Sequence, residues 1–259
     1  MGSSIGRCLL TGDVGPFSKS HIIPKSFMKR ATKSPFKEWD GETRPKRSQT
    51  GWYDYGILGR SGEAMIAKFD DVAASCFVDN GFTYSKRRDP LKLDLLRDNF
   101  IDGYVYEISR VDTQSLHLFA ISLLWRSAVT SLSGFEHITV RARRLEELRQ
   151  MLLGTEPLSV GDFPAYFIVF DGARELIKMA PSKIKGHPFI RFFLDGVVCY
   201  VSPTRRVKTG LAFEQFYVGS DPGLLRVPCV SSASSDHLSF MTKSSNNLVN
   251  TFGNPFPDR

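Results

Sequence analysis

The sequence has few cysteines, four among 259 residues, and no two are close. Cys8, Cys76, Cys199 and Cys229 make neither a disulfide framework nor a CxxC zinc motif. Long apolar runs are also missing. The most apolar stretch, Leu116 to Trp125, contains His117 and Ser122 and is ended by Arg126. It falls short of the ~18–20 apolar residues a bilayer span needs. The opening residues, Met1 to Arg7, lack the apolar core of a signal peptide. Together these features predict a soluble intracellular protein, cytoplasmic and without a membrane partner. The chain has no P-loop, no dinucleotide glycine pattern and no GxSxG. His117, His137, His187 and His237 stand at no metal-ligand spacing.

Acidic charge is scarce at the N-terminus. Residues 1–50 carry ten basic and four acidic residues, so they hold six of the seven net positive charges. Such a segment has two readings: a solvated basic surface, or a face for a polyanion such as DNA or RNA. What is abundant is core-forming material. Hydrophobic residues make up 42% of the chain and phenylalanine occurs 20 times, which excludes a disordered or collagen-like chain.

Periodicity gives the organisation. Residues 31–50 are polar and basic with Pro35 and Pro45, and read as a long surface loop. Gly59-Arg60-Ser61-Gly62 reads as a turn. Met65, Ile66, Phe69, Val72 and Ala73 then recur at helical spacing, with a helix starting near Glu63. Residues 79–90 form a connector and a soft domain boundary. Leu116 to Leu132 is apolar on most sides and predicts a central buried helix. A second helix, with Leu145, Leu148 and Leu152 on one face, ends at Gly154. Strand signals follow at Tyr166–Phe170, Leu176–Met179, Phe189–Leu194, Val197–Val201 and Ala212–Tyr217, with Asp195-Gly196 as a hairpin turn. The expected class is α+β. A module over 1–90 precedes a domain of buried helices and mainly antiparallel strands over 91–230. A Ser/Asn/Pro-rich segment over 231–259 reads as a flexible tail.

The strongest local signal is Cys8-Leu-Leu-Thr11-Gly12 followed by Lys19-Ser20-His21-Ile22-Ile23-Pro24. This resembles the opening of HNH-type (ββα-metal) nuclease domains, which often begin CxxC-G or CxxTG before a His-Ile pair. Ile57-Leu58-Gly59-Arg60-Ser61-Gly62-Glu63 stands where that group has a second pair of cysteines and a helix start. Leu123-Leu124-Trp125-Arg126-Ser127 resembles a third block, so the likeness covers roughly residues 7–155. It implies an N-terminal ββα module and a metal-dependent nuclease or nickase acting on DNA. His21 would be the general base and Glu63 a metal ligand. A Mg²⁺ or Mn²⁺ ion would be shared among His21, Glu63, Asp54 and Asp70. Lys19, Lys25, Lys29, Arg30, Arg44, Lys46 and Arg47 would hold the nucleic-acid backbone.

The sequence departs from that pattern. Only Cys8 remains of the four thiolates, with Thr11, Gly59 and Gly62 at the other places, so no structural zinc is expected. Ser20 replaces the commoner Asp before the histidine, and the Asn of the motif has no clear match. The alternative is therefore a catalytically degenerate HNH-derived module that binds nucleic acid or a protein partner. Each residue also has a plain structural reading. His21 could bond to backbone. Glu63 could serve the helix dipole. Asp70 and Asp71 could lie on a solvated helix face. Arg126 could contact phosphate or pair internally.

Overall fold

The computed structural model describes residues 4–28, 36–39, 46–48, 51–85, 95–98, 103–171, 177–183, 186–207 and 211–231. The expected tail beyond Ser231 lies outside them.

The chain opens with an antiparallel hairpin, β1 (Ile5–Arg7) and β2 (Val14–Pro16). Its loop closes with Gly12 donating to the Cys8 carbonyl at 2.9 Å, and Gly12 takes a positive φ of 83°. Next come β3 (Ser20–His21), a 3₁₀ turn (Lys25–Met28), β4 (Phe36–Trp39), β5 (Lys46–Ser48) and β6 (Tyr53–Asp54). β3 pairs with β6 in antiparallel register. The expected loop over 31–50 therefore contains two strands, and a short strand at Ile177–Met179 pairs with β4 in parallel. Trp39 explains this stretch, because its side chain is buried and anchors β4.

Helix α1 (Arg60–Ala74) starts three residues before Glu63, so the expected turn at 59–62 is its cap and first turn. Gly59 caps it without a side-chain bond. Asp13 reaches across from the hairpin loop and accepts from Ser61 Oγ at 2.8 Å, placing a carboxylate at the positive end of the helix. A π-helical turn (Ser75–Asp79) extends α1.

After β7 (Leu95–Asp98) and β8 (Gly103–Ser109) come α2 (Thr113–Val129) and α3 (Ala142–Leu153). α2 is the expected central helix, capped by Asp112 accepting from the Ser115 N–H at 3.0 Å. α3 ends as expected, with Gly154 left-handed at φ 73°. The rest is β9 (Ala165–Asp171), β10 (Ile177–Met179), β11 (Ser182–Lys183), β12 (Ile190–Leu194), β13 (Val197–Val201), the single turn α4 (Leu211–Glu214) and β14 (Leu224–Ser231). One seven-stranded sheet runs β11-β12-β13-β9-β14-β8-β7, antiparallel except at β14–β9. The fold is thus α+β with a mainly antiparallel sheet.

Two sequence readings change here. Ala212–Tyr217 is not a strand. Its rings turn helically, Phe216 and Tyr217 donating back to Phe213 and Glu214, so that Phe213 and Tyr217 pack on Tyr166. β14 was hidden by Pro228, which pairs with β8 just before β9 pairing begins at Cys229.

Both sheet faces are buried. Phe167, Val169, Phe192 and Cys199 turn toward the helices, and Tyr166, Phe170, Phe193 and Val198 toward a second core around Trp39, Tyr84 and Phe216. The N-terminal segment shares the first core with α2, α3 and the sheet. Phe27 meets Phe119 at 5.7 Å, and Arg149 of α3 donates to the Leu10 carbonyl at 2.7 Å. The connector at 79–90 thus separates segments of sequence whose side chains form one interior. Among the described residues, no helix is long and apolar enough to cross a membrane.

His117 of α2 lies in this interior, 2% exposed, its Nε2 3.1 Å from the Phe163 carbonyl. Burial pushes its pKa below the ordinary 6.5. The unfolded chain therefore takes up this proton first. His117 contributes fully above pH 6.5, and its contribution is lost as pH falls toward the folded value. Urea unfolding between pH 7.5 and 5.5 should show wild type losing more stability than His117→Gln, by up to about 1.4 kcal/mol per pH unit. Parallel profiles would refute this.

Candidate functional site

The residues singled out in the sequence converge on the two-residue strand β3. Ser20 is wholly buried and faces Asp54 across the β3–β6 pair, and His21 faces Tyr53. Ser20 Oγ donates to Glu63 Oε2 on α1 at 2.7 Å. Asp54 accepts from Thr130 Oγ1 at 2.6 Å and from the Gly56 N–H at 2.7 Å. These contacts bring Asp54, Glu63 and His21 around one ladder from three separate stretches of chain.

Asp70 joins them by a different route. Arg126, an almost wholly buried cation on α2, donates through Nη1 and Nη2 to the two Asp70 carboxylate oxygens at 3.0 and 2.8 Å. The same Nη1 donates to the His21 carbonyl at 2.8 Å. Its other donors reach the Ser122 carbonyl and hydroxyl. The solvated-face reading of Asp70 is therefore corrected; Asp71 is the exposed neighbour. Burial pushes the Asp70 carboxyl up to about 6, against the pull of Arg126.

Cys8, Thr11, Gly59 and Gly62 also meet. The Cys8 thiol is buried, with the Thr11 N–H 3.5 Å from its sulfur. A β-carbon on Gly62 would come 2.8 Å from that sulfur, and one on Gly59 would touch the Cys8 side chain at 3.4 Å. Burial raises the thiol's pKa, but hydrogen bonds from the Thr11 side chain and the Thr11, Gly59 and Leu10 backbones outweigh it and leave it below the ordinary value. One sulfur, held by N–H donors and packed on glycine, fills the place between the two turns.

Of the expected Mg²⁺ or Mn²⁺ ligands, Asp70 has both oxygens closed by Arg126, Asp54 accepts on both oxygens, and Glu63 accepts on Oε2. Among the described residues, no group of three His, Cys, Asp or Glu side chains is placed to share an ion.

The outer side of β3–β6 is basic and aromatic. Lys19 is exposed, with its ammonium 3.8 Å from the centre of the Tyr53 ring. The His21 ring lies 6.0 Å from the same ring, and the exposed Tyr55 meets it edge-on at 5.5 Å. Lys25 and Lys46 are also exposed. Arg47 lies on β5, while Lys29, Arg30 and Arg44 fall outside the described residues. Ser20, Thr130, Tyr53 and Tyr55 were not singled out in the sequence. Only Ser20 carried a signal, as the residue standing where an acid is commoner.

Comparison of the chain with protein-family models, with curated proteins and with solved structures finds no match in any of the three.

Two stability tests follow. Arg126→Met strands a buried carboxylate and should cost about 3–5 kcal/mol in urea unfolding, with part regained when Asp70→Leu is added. An unchanged midpoint would show that the pair is dispensable. Gly62→Ala should destabilise, because a clash of about 1–3 kcal/mol outweighs the ~1 kcal/mol alanine gains in a helix. In a Cys8→Ala background the same change should cost less, because only the 3.1 Å approach to Leu58 Cδ2 remains tight. Equal costs in both backgrounds would contradict the packing described.

Proposed function

We propose that this protein is a nucleic-acid-binding module of HNH-like (ββα-metal) type, with DNA as its partner, whose former metal site has become structural. The carrying observation is the engagement of the carboxylates. Asp70 holds Arg126, Glu63 holds the Ser20 hydroxyl and Asp54 holds Thr130. In this reading these bonds tie β3–β6 to α1 and α2, and the full closure of Asp70 by Arg126 removes one expected ligand.

Binding has its own support. Six of the seven net positive charges lie in residues 1–50, and Lys19, Lys25 and Lys46 present ammonium groups to solvent. Exposed lysines neutralise phosphates and release counterions, so their contribution is salt-dependent and indifferent to base sequence. In this reading His21 gives its carbonyl to Arg126 and its ring to the tyrosine face.

Fluorescence anisotropy with a labelled oligonucleotide tests this. If these three lysines each contact one phosphate, affinity should fall on the order of 20- to 40-fold between 50 and 200 mM salt. The triple Lys→Ala variant should flatten that dependence. Supercoiled plasmid should stay intact in Mg²⁺ or Mn²⁺. Nicking that disappears in His21→Ala would establish the nuclease reading instead. No binding at low salt would remove nucleic acid as the partner.

A further inference from the structure

We infer that the Tyr53–Tyr55 face is a stacking platform for an unpaired base, so that the nucleic acid held here is single-stranded; this rests on the nucleic-acid reading above. The strand alternation of β3–β6 builds the platform. Ser20 and Asp54 are cross-strand partners, each hydrogen-bonded to a helix or the segment that follows it. Asp54 also accepts from the Gly56 N–H, which fixes the chain on either side of Tyr55. With Asp54 held inward, Tyr53 lies on the opposite side of the ladder, and Tyr55, in the bend after β6, packs against its ring at 5.5 Å.

The two rings have different roles. Tyr53 is half-buried between Lys19 above its face and Tyr55 at its edge. Tyr55 is 51% exposed, so its ring has surface to offer. The other strongly exposed aromatic among the described residues is Tyr104 on β8. An exposed ring beside a phenol-stacked ammonium matches one repeat of a single strand, a flat base followed by a phosphate. Every base has a π-face, so stacking of this kind tolerates sequence and pairs with a salt-dependent backbone contact. In a duplex the bases are already stacked on one another and do not reach the ring. The chemistry therefore selects the single strand.

The experiment is anisotropy on wild type, Tyr55→Ala and Tyr55→Trp, with a labelled 20-nucleotide single strand and the matching duplex, at 50 mM salt. Wild type should prefer the single strand. Tyr55→Ala should weaken single-strand binding about 5- to 150-fold and leave duplex binding unchanged. Tyr55→Trp should keep the affinity, and its added indole emission should be quenched by the single strand. Two outcomes overturn the inference while leaving nucleic-acid binding standing: wild-type affinity in Tyr55→Ala, or an equal loss on both substrates. Absence of binding to either substrate overturns both readings. Circular dichroism of Tyr55→Ala checks that it is folded; the exposed position makes a folded variant the expected result.

Discussion

One buried cation ties three parts of this molecule together. Arg126 sits on α2, the most apolar of the described helices, 2% exposed, where an unpaired guanidinium is untenable. Its five donors need acceptors, and the chain supplies them from three directions. α1 gives both Asp70 oxygens, α2 gives Ser122, and β3 gives the His21 carbonyl. The angle between α1 and α2 and the seat of β3 thus answer to one planar fork. Planarity matters, because a lysine at this place could not reach two carboxylate oxygens and a carbonyl at once.

The second constraint is the glycine-lined seat of Cys8. Where four thiolates would gather two turns around an ion, this chain closes them by contact. The sulfur lies against Gly62 and accepts from backbone N–H groups, and Asp13 ties the hairpin loop to the start of α1. Packing of this kind tolerates no β-carbon at 62. That explains a glycine inside the first turn of α1, against helix propensity.

Legibility in the sequence tracked the range of the forces involved. α2, α3 with its Gly154 stop, and the Asp195-Gly196 hairpin were readable because local periodicity and turn chemistry decide them. β4 and β5 were not, because a few residues inside a basic stretch are held by Trp39 and a distant strand. The Ala212–Tyr217 rings suited either period, and only the second core settled which. At the site, His21, Asp54, Glu63 and Asp70 lie around β3 and the helices packed on it. Their engagements were illegible. Thr130 lies 76 residues from Asp54, and Arg126 lies 56 from Asp70.

Those engagements decide what the face can do. Carboxylates turned inward to structural donors subtract negative charge from the surface where Lys19, Tyr53 and Tyr55 stand. Had Asp54 faced outward, its charge would oppose a phosphate beside Lys19. The period-two alternation of a strand pair permits only one of the two arrangements, and the Ser20–Glu63 and Asp54–Thr130 bonds select it. The bonds that hold these carboxylates are therefore the ones that leave a basic, aromatic rim on the other side of the same ladder.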